Sequence, residues 1–210
     1  MRHVVLPLLI TMAMVFTLTP SATATLVTLG TGTIVGGDAA EYNLIYDSEQ
    51  DITWLDYTKS LANWDAQIAW ADALVVNFGS TTLSDWRLPS AGDYPQEGFN
   101  ITSSEMGHLF FESLGNVAFE TTGYGLQNTG DFENLENNRY WTGTDYSNPD
   151  LAWYFQFALG YQYAYTKEGT NSALAVLPGN PTAAVPVPAA VWLLGSGLMG
   201  LIGIRRRAKK

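Results

Sequence analysis

The sequence predicts an α+β domain set between two dissimilar ends. Three observations carry that expectation. Short runs with two-residue alternation lie at both ends of the central region, two helical patterns fall between them, and a long unpatterned stretch separates the second helix from the later strands. The chain has 210 residues and no cysteine, which excludes disulfide frameworks, thiolate metal sites and cysteine nucleophiles.

The elements follow in order. Residues 26–35 are rich in Thr, Gly and Val and fit an entry strand within an arm spanning 25–42. Residues 43–47 and 51–56 read as two strands joined by the polar turn Ser48-Glu49-Gln50. Residues 63–76 form the first helix. Asn63 can cap it, Asp65 suits the positive end of its dipole, and Trp64, Ile68, Ala71, Leu74 and Val75 recur at helical spacing. A second helix is expected over 103–114, with Thr102 and Glu105 as a capping box and Gly115 as its stop. Residues 115–138 lack a period, as functional or mobile loops do. Strands then resume at Tyr140-Trp141-Thr142. Trp153, Phe155 and Phe157 alternate with Tyr154 and Gln156, and Tyr161, Tyr163 and Tyr165 alternate with Gln162 and Ala164. Gly160 lies between these two arms, as in a hairpin, and residues 173–177 supply the last strand.

Charge is distributed unevenly. All twenty acids lie between Asp38 and Glu168, where only Lys59, Arg87, Arg139 and Lys167 oppose them, a net of −16. Such a surface repels nucleic acid and anionic lipid heads. It suits an exported protein that meets cations or neutral polymers.

Both ends read as addressing segments. Met1-Arg2-His3, the apolar residues 4–18 and Ala22-Thr23-Ala24 make a secretory signal peptide over 1–24. After a linker and proline motif at 181–188, residues 189–204 are uncharged and apolar. As a helix these 16 residues span about 24 Å, slightly short of a ~30 Å hydrocarbon core. Arg205, Arg206 and Arg207, then Lys209 and Lys210, form a basic stop over 205–210. The positive-inside rule places it in the cytoplasm and the domain outside. Export machinery is the partner this layout requires.

Val185-Pro186-Val187-Pro188, followed by Ala-Ala-Val-Trp-Leu-Leu-Gly-Ser-Gly-Leu and the arginines, resembles the PEP-CTERM sorting signal. Val187 stands where the name-giving glutamate would be. The resemblance implies an exosortase-type processing enzyme as partner and transient anchoring by the C-terminal helix. It further implies cleavage near Pro186–Pro188 and delivery to the cell surface or extracellular matrix. Its bacteria are typically Gram-negative makers of exopolysaccharide.

A second resemblance covers residues 43–180. Trp64-Asp65-Ala66, Trp70-Ala71-Asp72-Ala73-Leu74, Asp85-Trp86-Arg87-Leu88-Pro89-Ser90, Tyr140-Trp141-Thr142-Gly143-Thr144 and Ala175-Val176-Leu177-Pro178-Gly179 are similar to the Lcl C-terminal-type domain. Leu177 departs from the arginine common there. This resemblance implies a C-type-lectin-like fold related to formylglycine-generating enzymes: a small, mostly antiparallel sheet with two helices and long loops. The cysteine chemistry of those enzymes cannot carry over to a cysteine-free chain.

Candidate chemistry is sparse. Arg87 should pair with an acid, Asp85 or Glu105, and its replacement by Ala should mainly destabilise the domain. His108 is the sole histidine beyond the signal segment. Ser104 four residues before it offers poor nucleophile–base geometry, and a single histidine without cysteine disfavours a histidine-based zinc site. Asp131, Glu133, Glu136 and Asn137 form one oxygen cluster, and Asp145, Asn148 and Asp150 another. Either is a weak calcium candidate or a solvated acidic loop. Trp141, Tyr146 and Trp153 head a dense aromatic set that alternation should leave half exposed, a candidate surface for sugar rings. The expectation is a non-enzymatic protein binding extracellular polysaccharide or a protein partner, without a required cofactor. The alternatives are a carboxylate-based enzyme on matrix polysaccharide, using Asp145 and Asp150 or Glu133 and Glu136, and an inert structural protein.

Overall fold

A computed structural model describes residues 26–183. The expected signal segment, proline motif, apolar run and basic tail lie outside these residues. Among the described residues no helix is long and apolar enough to cross a membrane.

Ten strands form one mostly antiparallel sheet. β1 (Leu26–Ile34), β2 (Glu41–Asp47) and β3 (Ile52–Ala62) make a meander, and the hairpin of β4 (Val76–Phe78) and β5 (Thr81–Leu83) adds to β1. A second meander holds β7 (Arg139–Asp145), β8 (Leu151–Gln156) and β9 (Tyr161–Thr166), with the two-residue β6 (Gly98–Phe99) at its edge. β10 (Asn171–Pro178) lies between the meanders, antiparallel to β3 and parallel to β7. The full order is β5-β4-β1-β2-β3-β10-β7-β8-β9-β6. The expected α+β class is present, with a larger sheet than the small one anticipated.

β10 explains why the two halves cohere. Asn171 through Leu177 are all buried. Leu174 and Val176 enter the largest core with Trp54, Phe110, Tyr140 and Phe155. Ala175 and Leu177 enter a second core with Leu44, Val76 and Trp86, and Ala173 a third with Leu88 and Trp141. A strand buried on both faces needs an unbroken apolar run, and Ala173-Leu174-Ala175-Val176-Leu177 is one. Each large side chain buried there stabilises the fold by about 1.5–3 kcal/mol.

The segment after β5 closes the free edge of β10. Arg87 and Val176 exchange both backbone hydrogen bonds, at 3.0 and 2.9 Å. Extended backbone then sends alternate side chains to opposite sides. Trp86 and Leu88 are buried in the cores, whereas Arg87 turns outward and forms a fork on Glu105 at 2.7 and 2.6 Å. Glu105 also accepts the Ser90 N–H, so one carboxylate fixes both the segment and the helix that follows. Of the two acids considered for Arg87, Glu105 is the partner. The hydrogen bonds that Arg87 donates to Glu105 raise its pKa above the ordinary value, against the lowering effect of burial.

The helices are shorter than their patterns predict. α1 (Trp64–Asp72) begins as expected, with Asn63 accepting the Ala66 N–H. It ends at Ala73 instead of reaching Val76. Val76 is fully buried opposite Ile34 of β1, and that pairing outweighs continuation of the helix. α2 (Glu105–His108) is capped by Ser104, not Thr102, because the Glu105 side chain is engaged by Arg87 and does not turn back to close a capping box. A π-helical turn, Leu109–Ser113, continues it. That turn places Leu109 and Phe110 in the main core, and Gly115 at φ +68° ends it.

The long stretch 115–138 is pinned. Asp56, 1% exposed on β3, accepts the N–H groups of Glu133 and Asn134 and the Asn134 side-chain amide. Asn116 accepts from Gln127 and Asn128, and Phe132 and Leu135 enter the main core. Burial pushes the hydroxyl of neighbouring Tyr140 up to about 12. That hydroxyl accepts the Glu136 N–H, a further tie on the loop.

The Arg87–Glu105 fork joins the edge of β10 to α2. Glu105→Ala should lower stability by about 1–3 kcal/mol, because the guanidinium and the Ser90 N–H lose a charged partner. In a domain of this size that corresponds to a fall of roughly 3–10 °C in Tm. Arg87→Ala should fall similarly, and the double variant should cost clearly less than the two single losses combined. A thermal melt unmoved by either single substitution would remove the fork from the account.

Candidate functional site

The second meander carries the site. Strand alternation sorts its aromatic residues onto two faces. Tyr140 and Phe155 point into the main core with α2. The opposite face carries Trp141 and Tyr154 beside α1, and then Tyr161, Tyr163 and Tyr165 of β9. Gln162, between Tyr161 and Tyr163, is buried and donates to the carbonyls of Ala91 and Gln96, which holds the 91–96 loop against the sheet.

Five aromatic rings form a continuous ribbon. Tyr161 and Tyr163 stack with centroids 5.7 Å apart. Phe99 of β6 lies opposite Tyr161, 4.6 Å away, and stacks on Phe119 at 6.1 Å. Tyr124 meets Phe119 edge-on at 5.1 Å. Phe99, Phe119, Tyr124 and Tyr163 are each 40–44% exposed. Tyr165 is also exposed, stacked on buried Trp141 at 6.2 Å, with the Arg139 guanidinium 5.4 Å from its ring. So many half-open rings on one sheet face need a physical reason, because each leaves apolar area in water that a buried position would remove.

An acidic cleft of ≈ 430 Å³ lies between the 92–97 loop and Trp153, whose side chain points to the face of β8 opposite Tyr154 and its cross-strand partner Tyr163. Tyr146 and Trp153 pack together in it at 5.0 Å, and Asp93, Glu97 and Asp145 line it. The Tyr146 hydroxyl donates to Glu97 at 2.9 Å. That hydrogen bond raises the Tyr146 pKa above its ordinary value. Burial, then the nearby Tyr163 and Glu97, raise the pKa of Tyr161. Glu97 is thus the cleft residue whose charge reaches the ribbon.

The structure keeps part of the expected surface and rejects part. Tyr146 lines the cleft as a half-exposed ring. Trp153 also lines it but is only 6% exposed. Trp141 is fully buried, its indole N–H donating to the Ala62 carbonyl, so it supports Tyr165 from beneath and meets no ligand. The cleft is bounded by the 92–97 loop; the 115–138 stretch contributes Phe119 and Tyr124 to the ribbon instead.

The acidic candidates are dispersed into structural roles. Lys167 pairs with Asp145 and its N–H donates to the Asp150 carbonyl, while Asn148 accepts the Asp150 N–H within the turn. Asp131 accepts from Thr28, and Glu136 from Asn138. Among the described residues no three His, Cys, Asp or Glu side chains gather as a metal site. Ser104 caps α2 and does not approach His108 as a nucleophile. The His108 ring instead lies 3.0 Å from Glu49 and 3.3 Å from Ser113, whose hydroxyl donates to buried Asp47. With the serine proton committed to Asp47, this group reads as a clamp between the β2–β3 turn and the π-helical turn. Asp85, Trp86, Arg87, Leu88 and Pro89 are likewise structural. Asp85 takes φ +69°, the bend that lets Arg87 reach Val176.

Phe99, Phe119 and Tyr124 are site residues that periodicity misses. Each is a lone aromatic in a Gly-, Asn- or Thr-rich stretch, and that isolation is the only signal the sequence carries for them.

Comparison with family models, with curated proteins and with solved structures finds no match to this chain.

Glu97→Gln should lower the Tyr146 pKa toward the ordinary tyrosine value of about 10, since an amide accepts a weaker hydrogen bond and carries no charge. Tyrosinate absorbance followed against pH, with Tyr146→Phe to assign the transition, reads this directly. An unchanged Tyr146 transition would mean that Glu97 does not hold the hydroxyl.

Proposed function

We propose that this chain is an exported, non-enzymatic surface or matrix protein that binds polysaccharide along its aromatic ribbon. One observation carries the reading: the run of half-exposed rings Tyr163, Tyr161, Phe99, Phe119 and Tyr124 on a braced sheet face. A pyranose presents an apolar C–H face and a rim of hydroxyls. Flat rings match the face, and Glu97, whose charge reaches Tyr161, accepts hydroxyl hydrogens. The net charge of −16 over residues 38–168 favours a neutral polymer and disfavours nucleic acid.

The rest of the proposal rests on the sequence resemblances. An Lcl C-terminal-type, C-type-lectin-like domain accords with a mostly antiparallel sheet, two short helices and long connections. The signal peptide over 1–24 and the PEP-CTERM-like tail from Val185 make the chain a substrate of export machinery and of an exosortase-type enzyme. In this reading the tail anchors the chain and is then removed.

A second reading has one observation in its favour: the cleft gathers Asp93, Glu97 and Asp145 beside Trp153. A polysaccharide hydrolase needs two carboxylates flanking its scissile bond.

Both readings meet in one experiment. The full-length chain is run through native gels containing a panel of neutral polysaccharides, and each gel is assayed for new reducing ends. Binding retards the chain, and Tyr163→Ala or Phe119→Ala should weaken the retardation about three- to tenfold, the worth of one aromatic contact. Reducing ends that appear with the native chain and vanish in Glu97→Gln would establish the hydrolase instead. No retardation by any polymer would sink the binding proposal.

A further inference from the structure

A second cavity lies at the other end of the sheet order, between the β1–β2 connection, β3 and α1. It encloses ≈ 240 Å³. Its walls bring together Trp70 of α1, Tyr57 and Lys59 of β3, and Asp38. The Trp70 and Tyr57 rings lie 6.0 Å apart, and Tyr57 is in turn braced edge-on by Tyr42 at 4.9 Å. The Tyr42 hydroxyl donates to both Asp38 oxygens, at 3.0 and 2.9 Å, which fixes that carboxylate at the rim.

Lys59 sets this cavity apart. The described domain has four cations against twenty acids. Arg87 is paired with Glu105 and Lys167 with Asp145, and Arg139 lies over Tyr154 and Tyr165. Lys59, like Arg139, makes no ion pair among the described residues, but Lys59 lines this cavity. Its ammonium lies 5.9 Å from the centre of the Trp70 ring, inside the cavity wall. A half-buried cation with no carboxylate at ion-pair distance leaves a donor open to a ligand.

We propose that this cavity binds a carboxylate-bearing sugar residue, a uronate, within a polysaccharide that is otherwise neutral; the inference rests on the polysaccharide reading above. Trp70 takes the apolar face of the ring, Lys59 the carboxylate, and Asp38 a hydroxyl. The excess of acids decides the kind of chain. A polyuronate would meet like charge over the whole surface, whereas a sparse uronate brings one carboxylate to Lys59, with Asp38 the single acid in that wall. Lys59 therefore selects which neutral chains are held and adds little to how strongly any chain is held.

The test uses a matched pair of probes on the full-length chain. One is a xylo-oligosaccharide carrying a single glucuronate branch. The other is the same molecule with its carboxyl group reduced to the alcohol. Titration followed by tryptophan fluorescence should show the charged form binding about two- to fivefold more tightly, the worth of one partly exposed ion pair. Lys59→Met should bind both forms with the affinity of the native chain for the reduced probe, and Lys59→Arg should keep the preference. Acetate at equal ionic strength should not displace the charged probe, because the ring contact is missing. Equal binding of the two forms by the native chain, or a preference that survives in Lys59→Met, overturns the cavity's role and leaves the ribbon intact. Displacement by acetate overturns recognition of a sugar. No binding of either probe by the native chain counts against the polysaccharide reading and the cavity together.

Discussion

Every part of this fold depends on filling both edges and both faces of β10. Its antiparallel partner β3 covers one edge over most of its length. The other edge is shared, with β7 meeting it at Ser172 and Arg87 meeting it at Val176. An uncovered edge at that depth would leave backbone N–H and C=O groups without water or partner, at about 1–3 kcal/mol each. The Trp86-Arg87-Leu88 segment meets this demand with one residue triplet. Its backbone pairs with the strand, Trp86 and Leu88 extend two of the cores, and Arg87 ties the segment to α2. The positive φ of Asp85 is the local cost of bringing the chain there.

That arrangement also determines what the second meander can present. Tyr140 and Phe155 bury one face of the meander against the core, and Trp141 and Tyr154 anchor the near part of the other face against α1. Only the far rows, on β9 and β6, run past the cover that α1 provides. Asp56 and Asn116 hold the 115–138 stretch so that Phe119 stacks on Phe99, and Gln162 holds the 91–96 loop so that Glu97 reaches Tyr146. A rigid array of open rings therefore follows from how the core is closed. Rigid rings lose little conformational entropy on contact with a flat ligand, which is why such arrays suit weak, extended polymers.

Much of this was legible in the sequence wherever one local rule acts alone. Asn63 caps α1 because nothing competes for its side chain. The alternation of Tyr161, Tyr163 and Tyr165 with Gln162 and Ala164 is kept, because β9 is a regular strand; which of its two faces opens to water is set by the packing beneath it. Gly160 turns the hairpin at φ +61°, where an added Cβ would collide with Phe110 and Phe111. The reading failed where a distant partner decides. Glu105 has the sequence of a capping-box residue, yet an arginine eighteen positions earlier claims it. Val75 and Val76 continue a helical stripe, but a place opposite β1 buries Val76 better. Trp141 alternates like a surface residue, but α1 covers it. Phe99, Phe119 and Tyr124 become one surface only through the pairing of β6 with β9 and the folding of a long loop, and no window of sequence contains that information.

The central claim is that a face made rigid by β10 presents Tyr161, Tyr163, Phe99 and Phe119 to a neutral polysaccharide. The most direct measurement is a chemical-shift map of the isotopically labelled full-length chain, titrated with a neutral oligosaccharide that retards it in gels. The account predicts that perturbed resonances cluster on β9, β6 and residues 119–124, with the cleft at Glu97 and Tyr146 next. Resonances of β10 should hold their positions throughout. Perturbations centred elsewhere, or shifts that spread through β10 as the ligand binds, would contradict it.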